Sequence, residues 1–502
     1  MLIPDEREFE RLAAAGYNLI PICREIAADL ETPVSAFLKV AANRDYAFLL
    51  ESVSGGEKWA RYSFLGAEPS MVIRGRDDRI ELTTPAGGTE VRTGIDPFAE
   101  LRRELGRFRA PDLPHLPRFF GGAVGYIAYD TVRRFERLPK PPRDDLGTPD
   151  LCLMLTDCVL IFDNVRQTIK VVANVSLDGH ASPAAAWRDG AARIDRTVAR
   201  LAESATLPRL EKPTVVSGGS LKSNFSREEY VAMVERARDH IVAGDVVQVV
   251  PSNRFETPLA AHPFNLYRSL RAINPSPYLF YLQLGDHALA GASPEVMVRV
   301  EGREVTVRPM AGTRQRGTTD AEDRGHERDL LDDPRERAEH VMLVDLGRND
   351  IGRVARLGTV EVTELMTVER YSHAMHLVSN VRGILRDGAD AFDAFRAAFP
   401  PGTVSGAPKV RAMEIIDDLE PVRRGPYGGA VGYFSYTGNT DTAIVQRTML
   451  IKDGVIYMQA GGGVGADSNP EAEYDESVGK AGAMMDAVEG ARGFERSAAG
   501  EE

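Results

Sequence analysis

Cysteine is scarce in this chain: 502 residues hold three, Cys23, Cys152 and Cys158. That number excludes a disulfide framework, and their spacing excludes a cysteine metal site. Cys152 and Cys158 lie in LCLMLTDCVLIF and read as small buried hydrophobes. None stands in the G-x-C-x-G setting of a glutamine amidotransferase nucleophile. Basic excess is missing too. The formal net charge is −13, which argues against nucleic acid, because a phosphate backbone selects for surplus Lys and Arg. No apolar run reaches the roughly 18 residues of a membrane span. The start, MLIPDEREFERL, has acids where a signal peptide needs bases. The expectation is a cytoplasmic enzyme with neither membrane nor nucleic acid as partner. What is present, 43% hydrophobic and 27% charged residues, is enough for at least one large core.

The first half reads as β-rich. YAFLLESV (46–53), SMVIRG (70–75), RIELTT (79–84) and LMLTDCVLIFDN (153–164) have strand composition between Gly, Pro and Asp turns. FFGGAVGYIAYD (119–130) recurs loosely as YGGAVGYFSYTG (427–438), and the shared GGAVGY suggests a duplicated turn between two lobes. Residues 178–205 have Ala-rich helical character and 206–224 read as a linker. A helix starts at Ser226, where Ser226 and Glu229 form a capping box. Val231, Val234, Ile241 and Val242 supply its stripe, and Gly244 ends it. A strand, VVQVVPSNRF (246–255), follows. Strands and helices alternate without the regular rhythm of a parallel sheet, so the predicted class is α+β. The layout is an N-terminal lobe (1–205), the linker (206–224), a C-terminal catalytic domain (225–490) and a disordered tail (491–502).

Chemistry-bearing motifs crowd the last two hundred residues: PMAGTR (309–314), AEHVMLVDLGRND (338–350), PGTVSGAPK (401–409), PYGGAVGYFS (426–435), AIVQRT (443–448) and AGGGVGADSNPEAEYDESVGK (460–480). A helix over 335–347 puts Glu339 in a stripe with Met342, Leu343 and Leu346. A carboxylate there needs a cation, a proton or a metal; Arg335, one turn earlier, is one candidate. A second helix over roughly 470–488 has its stripe at Tyr474, Val478, Ala481, Met485 and Val488, with Glu473, Glu476 and Lys480 on an adjacent face. That face is either simply solvated or part of an anion site, since a Gly-rich loop feeds the helix N-terminus. Carboxylates aimed at an anion require a bridging metal, and oxygen ligands with waters suit Mg²⁺. Thr313 after Gly312 and Thr403 after Gly402 are loop hydroxyls, and Tyr427 and Arg447 add a phenol and a guanidinium fork. His373 and His376 share one face if SHAMHLVSNV is helical, which makes one a proton-transfer candidate or a core histidine. Gln248 is neutral at all pH and cannot be a general base.

With these motifs assembled, the chain resembles the large subunits of the anthranilate synthases, within the chorismate-utilising enzymes. GYNLIPICREI, ETPVSAFLKV, FLLESV, NPSPYLFYL and the later motifs carry the resemblance over nearly the whole length. It implies two interleaved lobes on antiparallel sheets with helices outside. It also implies Mg²⁺ held by Glu339 and Glu476. Chorismate would be surrounded by Gly312, Thr313, Tyr427, Arg447, Gly461, Gly462, Gly463 and Lys480. His376, with Thr403 as a companion, would serve pyruvate elimination. Ser52, Pro277, Tyr278, Leu279 and Tyr433 match a tryptophan inhibitor site, which the resemblance assigns to the N-terminal lobe. Relatives making aminodeoxychorismate have a nucleophilic Lys where this chain has Ala311, and relatives using water have a Lys base at Gln248. Gly462 replaces the usual Ala, and PMAGT the commoner PIAGT. The implied reaction turns chorismate and ammonia into anthranilate and pyruvate. Ammonia would come from a separate glutamine amidotransferase small subunit, typically in a heterotetramer, or from free ammonium. The rival readings are an aminodeoxyisochorismate synthase that keeps the enolpyruvyl group, an isochorismate or salicylate synthase, and a catalytically dead tryptophan-sensing subunit.

Overall fold

Period-two alternation sets the layers of this molecule. In the strands Tyr46–Glu51, Tyr62–Ala67 and Tyr278–Leu284, Phe48, Phe64 and Phe280 point to one face and Leu49, Leu65 and Tyr281 to the other. The computed structural model describes residues 1–52, 61–85, 87–210, 221–371 and 374–499. Among them are two large antiparallel sheets, of 11 and 12 strands, stacked face to face. Phe48, Phe64, Phe280, Leu282, Val124, Tyr126, Val431 and Tyr433 fill the space between the sheets. The outer face of the first sheet is covered by the helices Glu6–Ala14, Pro33–Val40, Pro263–Ile273 and Pro470–Ala499. The outer face of the second is covered by Pro97–Leu105, Pro334–Gly352 and Ala391–Ala398. The class is α+β, as expected.

Each sheet is part N-terminal and part C-terminal. In the first, Tyr46–Glu51 pairs with Tyr278–Leu284. In the second, Gly122–Ile127 pairs with Ala430–Ser435, with Gly125 opposite Gly432. The two GGAVGY copies are therefore neighbouring strands at the seam, not turns between lobes. Their glycines are required by close approach: a Cβ on Gly125 would lie 2.0 Å from the Cys152 carbonyl oxygen, and one on Gly432 2.1 Å from that of Asp441. Gly432 also has φ +153°.

Several other local expectations change. LMLTDCVLIFDN is two strands, Leu151–Leu155 and Cys158–Asp163, which enter different sheets after a break at Thr156 and Asp157. VVQVVPSNRF is likewise split at Pro251 into Gln248–Val249 and Ser252–Pro258, because proline cannot donate to a ladder. Within the expected linker, Lys222–Ser223 pairs with Ser252–Pro258, while 211–220 lie outside the described residues. The expected tail is helical to Ala499. Ala491 is buried, and Glu495 accepts hydrogen bonds from the His262 N–H and Asn265 Nδ2 at 2.8 and 2.9 Å, which anchor that turn. The capping box of Ser226 and Glu229 forms as expected, on a helix Arg227–Val242.

Candidate active site

The helix Pro334–Gly352 carries Glu339, capped by Asp333, whose side chain accepts from the N–H groups of Arg335 and Glu336. No ion pair with Arg335 holds Glu339 among the described residues. Its Oε1 instead accepts a hydrogen bond from Gln248 Nε2 at 2.9 Å. Burial raises the pKa of Glu339; the Gln248 bond opposes this, while Glu336 and Glu476 add to it. Gly463 passes close by: a Cβ there would sit 2.1 Å from Gln248 Nε2 and 3.5 Å from Glu339 Oε1.

The helix Pro470–Ala499 supplies the opposing carboxylates, turned by about one position from the expected stripe. Glu473, Ser477, Ala481, Met484 and Val488 are its buried line, so Glu473 points inward rather than along a solvated face. A Cβ on Gly462 would meet Glu473 Oε2 at 2.6 Å. Burial raises the Glu473 pKa, and Glu476 raises it further. Glu476 is more open and pairs with Lys480 at 2.8 Å; Lys480 Nζ also donates to the Gly461 carbonyl at 2.7 Å. A Cβ on Gly461 would lie 2.9 Å from the Tyr427 hydroxyl, whose pKa burial pushes up to about 12. Glu339, Glu473, Glu476, Tyr427, Lys480 and Gly461–Gly463 are thus gathered in one place.

These carboxylates repel one another, and burial penalises the charge on Glu339 and Glu473. A divalent cation relieves both costs, so the donor set fits Mg²⁺. Among the described residues no group of three or more His, Cys, Asp or Glu is arranged to hold an ion alone. An ion held here would therefore complete its shell with water or a ligand, as Mg²⁺ ordinarily does.

A second group is built on the strand Met310–Gln315, where Thr313 lies opposite His376 of the strand Ala374–Ile384. The expected helix SHAMHLVSNV is this strand: LVSNV is inserted between two partners, and ladder pairing overrides the short helical pattern. His373 lies outside the described residues. Thr313 is on a strand rather than a loop, just after a register shift at Gly312, which has φ +69°. His376 Nδ1 is 3.0 Å from the Gly312 carbonyl oxygen and 3.1 Å from Thr313 Oγ1. A carbonyl can only accept, so Nδ1 carries the proton and Nε2 keeps its lone pair. Burial holds the imidazole pKa near 4, with Gly312 opposing and Arg447 adding to the shift.

Arg447 sits at φ +50° with an exposed side chain and no ion-pair partner among the described residues. Its pKa is nonetheless lowered by desolvation, with Glu295 and Tyr371 opposing. That combination describes a cation facing solvent from within a concavity. Glu295 was not anticipated from the sequence. Burial pushes its pKa from 4.5 to about 8, against Thr403, Gln446, the Met310 backbone and Arg447. Gln446 Nε2 donates to Glu295 Oε2 at 3.2 Å. Thr403, in the single turn Gly402–Val404, lines a cavity of about 370 Å³ with Glu295, and its buried Oγ1 has no well-aligned partner. The only hint was one acid just after Pro294 at the head of an apolar strand, ASPEVMV.

Ser52, Pro277, Tyr278, Leu279 and Tyr433 are not part of this site. All five line a separate cavity of about 560 Å³, together with Leu50, Phe64, Phe280, Arg299 and Asp441. The cavity draws on both halves of the chain rather than on the N-terminal lobe alone. Asp441 accepts from Arg299 at 2.6 Å, Arg118 at 3.0 Å and Tyr278 at 2.8 Å. Burial opposes ionisation of Asp441, but the two guanidinium groups outweigh it and its pKa is lowered. Ser52 Oγ is buried without a partner among the described residues.

Residues 47–486 match the family model of the chorismate binding enzymes. The chain belongs to that family. Anthranilate synthase component 1 of Pseudomonas aeruginosa is 49% identical over 489 residues, 96% of this chain and 98% of the relative. The protein of the same name from Acetivibrio thermocellus is 46% identical, over 95% and 97%. In structure, anthranilate synthase component I from Streptococcus pneumoniae matches this chorismate-binding enzyme with a TM-score of 0.76 at 35% identity, over 92% of this chain and 99% of that one. The menaquinone-specific isochorismate synthase of Escherichia coli matches with a TM-score of 0.69 at 17% identity, which speaks to the fold alone.

Proposed function

We propose that this chain is the synthase component of an anthranilate synthase, converting chorismate and ammonia to anthranilate, pyruvate and water. The observation that carries the reading is a proton donor and a neutral base near one unpaired guanidinium. Glu295, protonated up to about pH 8, and His376, neutral above about pH 4, are both in electrostatic reach of Arg447. Arg447 and Lys480 bind substrate carboxylates, with Tyr427, Thr313 and the Gly461–Gly463 backbone completing the walls. Glu339 and Glu476 would hold Mg²⁺, with Glu473 behind them, and the ion would withdraw charge from the ring carboxylate.

Ammonia attacks the ring carbon beside the carboxylate-bearing carbon, and the allylic hydroxyl departs as water with the proton of Glu295. The ammonium so formed returns a proton to Glu295 or to solvent. In the second step His376 Nε2 takes the ring proton at the aminated carbon as the bond from the ring to the enolpyruvyl oxygen breaks, which leaves an aromatic ring. The released enolpyruvate takes up a proton at its methylene carbon to become pyruvate. Ala311 provides no competing amine, and Gln248 provides no base for water; both favour ammonia as nucleophile. A glutamine amidotransferase small subunit would supply that ammonia. The second cavity, with aromatic walls and a buried polar end at Arg299 and Asp441, suits tryptophan as a feedback inhibitor. Two strands lead from it to the site: Val296–Glu301 follows Glu295, and Thr440–Ile444 runs on to Arg447.

The test is a product assay on the purified chain with chorismate, Mg²⁺ and ammonium. Anthranilate and pyruvate in equal amounts are expected. An aminated product that keeps its enolpyruvyl group would replace this reading with the aminodeoxyisochorismate one.

A further inference from the structure

Gln248 has a more specific job than failing to be a base. The residue is 7% exposed, and its backbone is fixed on two sides. Gln248–Val249 pairs with Gly406–Ala407, and Val249 exchanges hydrogen bonds with Val464 at 2.8 and 3.2 Å, directly after the glycine run. From that rigid position Nε2 donates to Glu339 Oε1 at 2.9 Å. The amide passes where a Cβ on residue 463 would be, so Gly463 is what admits it. The other end of the amide is unusual. Oε1 is buried and has no hydrogen-bond partner among the described residues. A buried acceptor left unmet costs about 1–3 kcal/mol, and natural proteins retain few of them.

We propose that Gln248 is a positioning residue of the metal centre: its N–H pins Glu339 Oε1, so that Oε2 is the oxygen presented to the cation, and its free carbonyl oxygen receives a neutral N–H or O–H donor that enters with the ligands. The proposal rests on reading Glu339 as a metal ligand. A neutral amide is suited to this, because it orients the carboxylate without cancelling its charge. Outer-shell partners that fix a ligand in this way typically govern metal affinity by 10–100-fold.

The test is Mg²⁺ titration calorimetry on the full chain saturated with chorismate in ammonia-free buffer, so that nothing turns over. Gln248→Leu, and Gln248→Asn as a second variant should the first not fold, are compared with wild type and with Glu339→Gln. Expected is a 10–100-fold weaker Kd for either Gln248 variant, and a matching rise in the Mg²⁺ concentration for half-maximal rate. At saturating Mg²⁺, kcat should recover to within a few-fold of wild type. Mg²⁺ binding within twofold of wild type in a folded Gln248 variant, with binding lost in Glu339→Gln, overturns the role of Gln248 alone. A kcat deficit that excess Mg²⁺ does not repair, in a variant whose Mg²⁺ Kd stays within twofold of wild type, also overturns it, because Gln248 would then act on the substrate and not on the metal centre. Wild-type Mg²⁺ affinity in Glu339→Gln overturns the metal reading itself.

Discussion

Replacing Glu295 by Gln separates what burial does to this carboxyl from what the reaction asks of it. Glu295 is 6% exposed, and burial lifts its pKa from 4.5 to about 8. Between those limits the unfolded chain has released the proton and the folded chain still holds it. The unfolded state therefore binds fewer protons, and stability falls as pH rises through the window. A tenfold change in proton affinity is worth about 1.4 kcal/mol, so the effect has an upper bound of roughly 5 kcal/mol, fully present below pH 4.5 and lost above 8. Glutamine resembles the protonated acid and cannot titrate. Urea unfolding from pH 5 to 8 should show the wild type losing several kcal/mol relative to Glu295→Gln. Kinetics at constant free ammonia should show the alkaline limb near pH 8 in wild type only, and a kcat about 10²–10⁴-fold lower in the variant, the usual loss with a proton donor. Parallel stability curves would show that the folded carboxyl ionises normally. A kcat/KM within threefold of wild type would remove Glu295 from the chemistry.

Glu339→Ala should abolish turnover at Mg²⁺ concentrations that saturate wild type, with an unchanged circular dichroism spectrum; near-normal activity would remove the metal assignment. His376→Ala should release an aminated product that retains its enolpyruvyl group, detected by mass spectrometry, and wild-type anthranilate yield would exclude His376 as the base. In the wild type His376 should impose an acid limb near pH 4, below which the imidazole is charged and the rate falls. Substitution of Ser52 should relieve tryptophan inhibition with little change in the uninhibited rate; an unmoved inhibition curve would take Ser52 out of the inhibitor site. Gly125→Ala should destabilise the fold by about 1–3 kcal/mol or more, since its methyl would need the space of the Cys152 carbonyl; an unchanged urea midpoint would refute that packing.

Local chemistry was legible in the chain itself. Ser226 and Glu229 start a helix because a cap needs only the first turn of backbone N–H groups. Glu339 was readable as an acid in an apolar stripe because helical spacing is set by bond geometry, and the motif set was readable as that of a chorismate-binding enzyme. Tertiary structure decided the rest. Whether LMLTDCVLIFDN is one strand or two depends on which sheet receives each half, and whether His376 lies on helix or strand depends on partners some sixty residues away in Met310–Gln315. The inward turn of Glu473 and the proton held by Glu295 arise from burial by distant elements, and no neighbouring residue encodes a desolvation cost. The cavity that unites Ser52 with Pro277–Leu279 and Tyr433 exists because strands from both halves of the chain join in each sheet. Residue identity and short-range pattern set which groups are available for the chemistry and which elements have local signals. Distances, dielectric surroundings and therefore charge states come from the packed fold, because they depend on what packs around a group rather than on what precedes it.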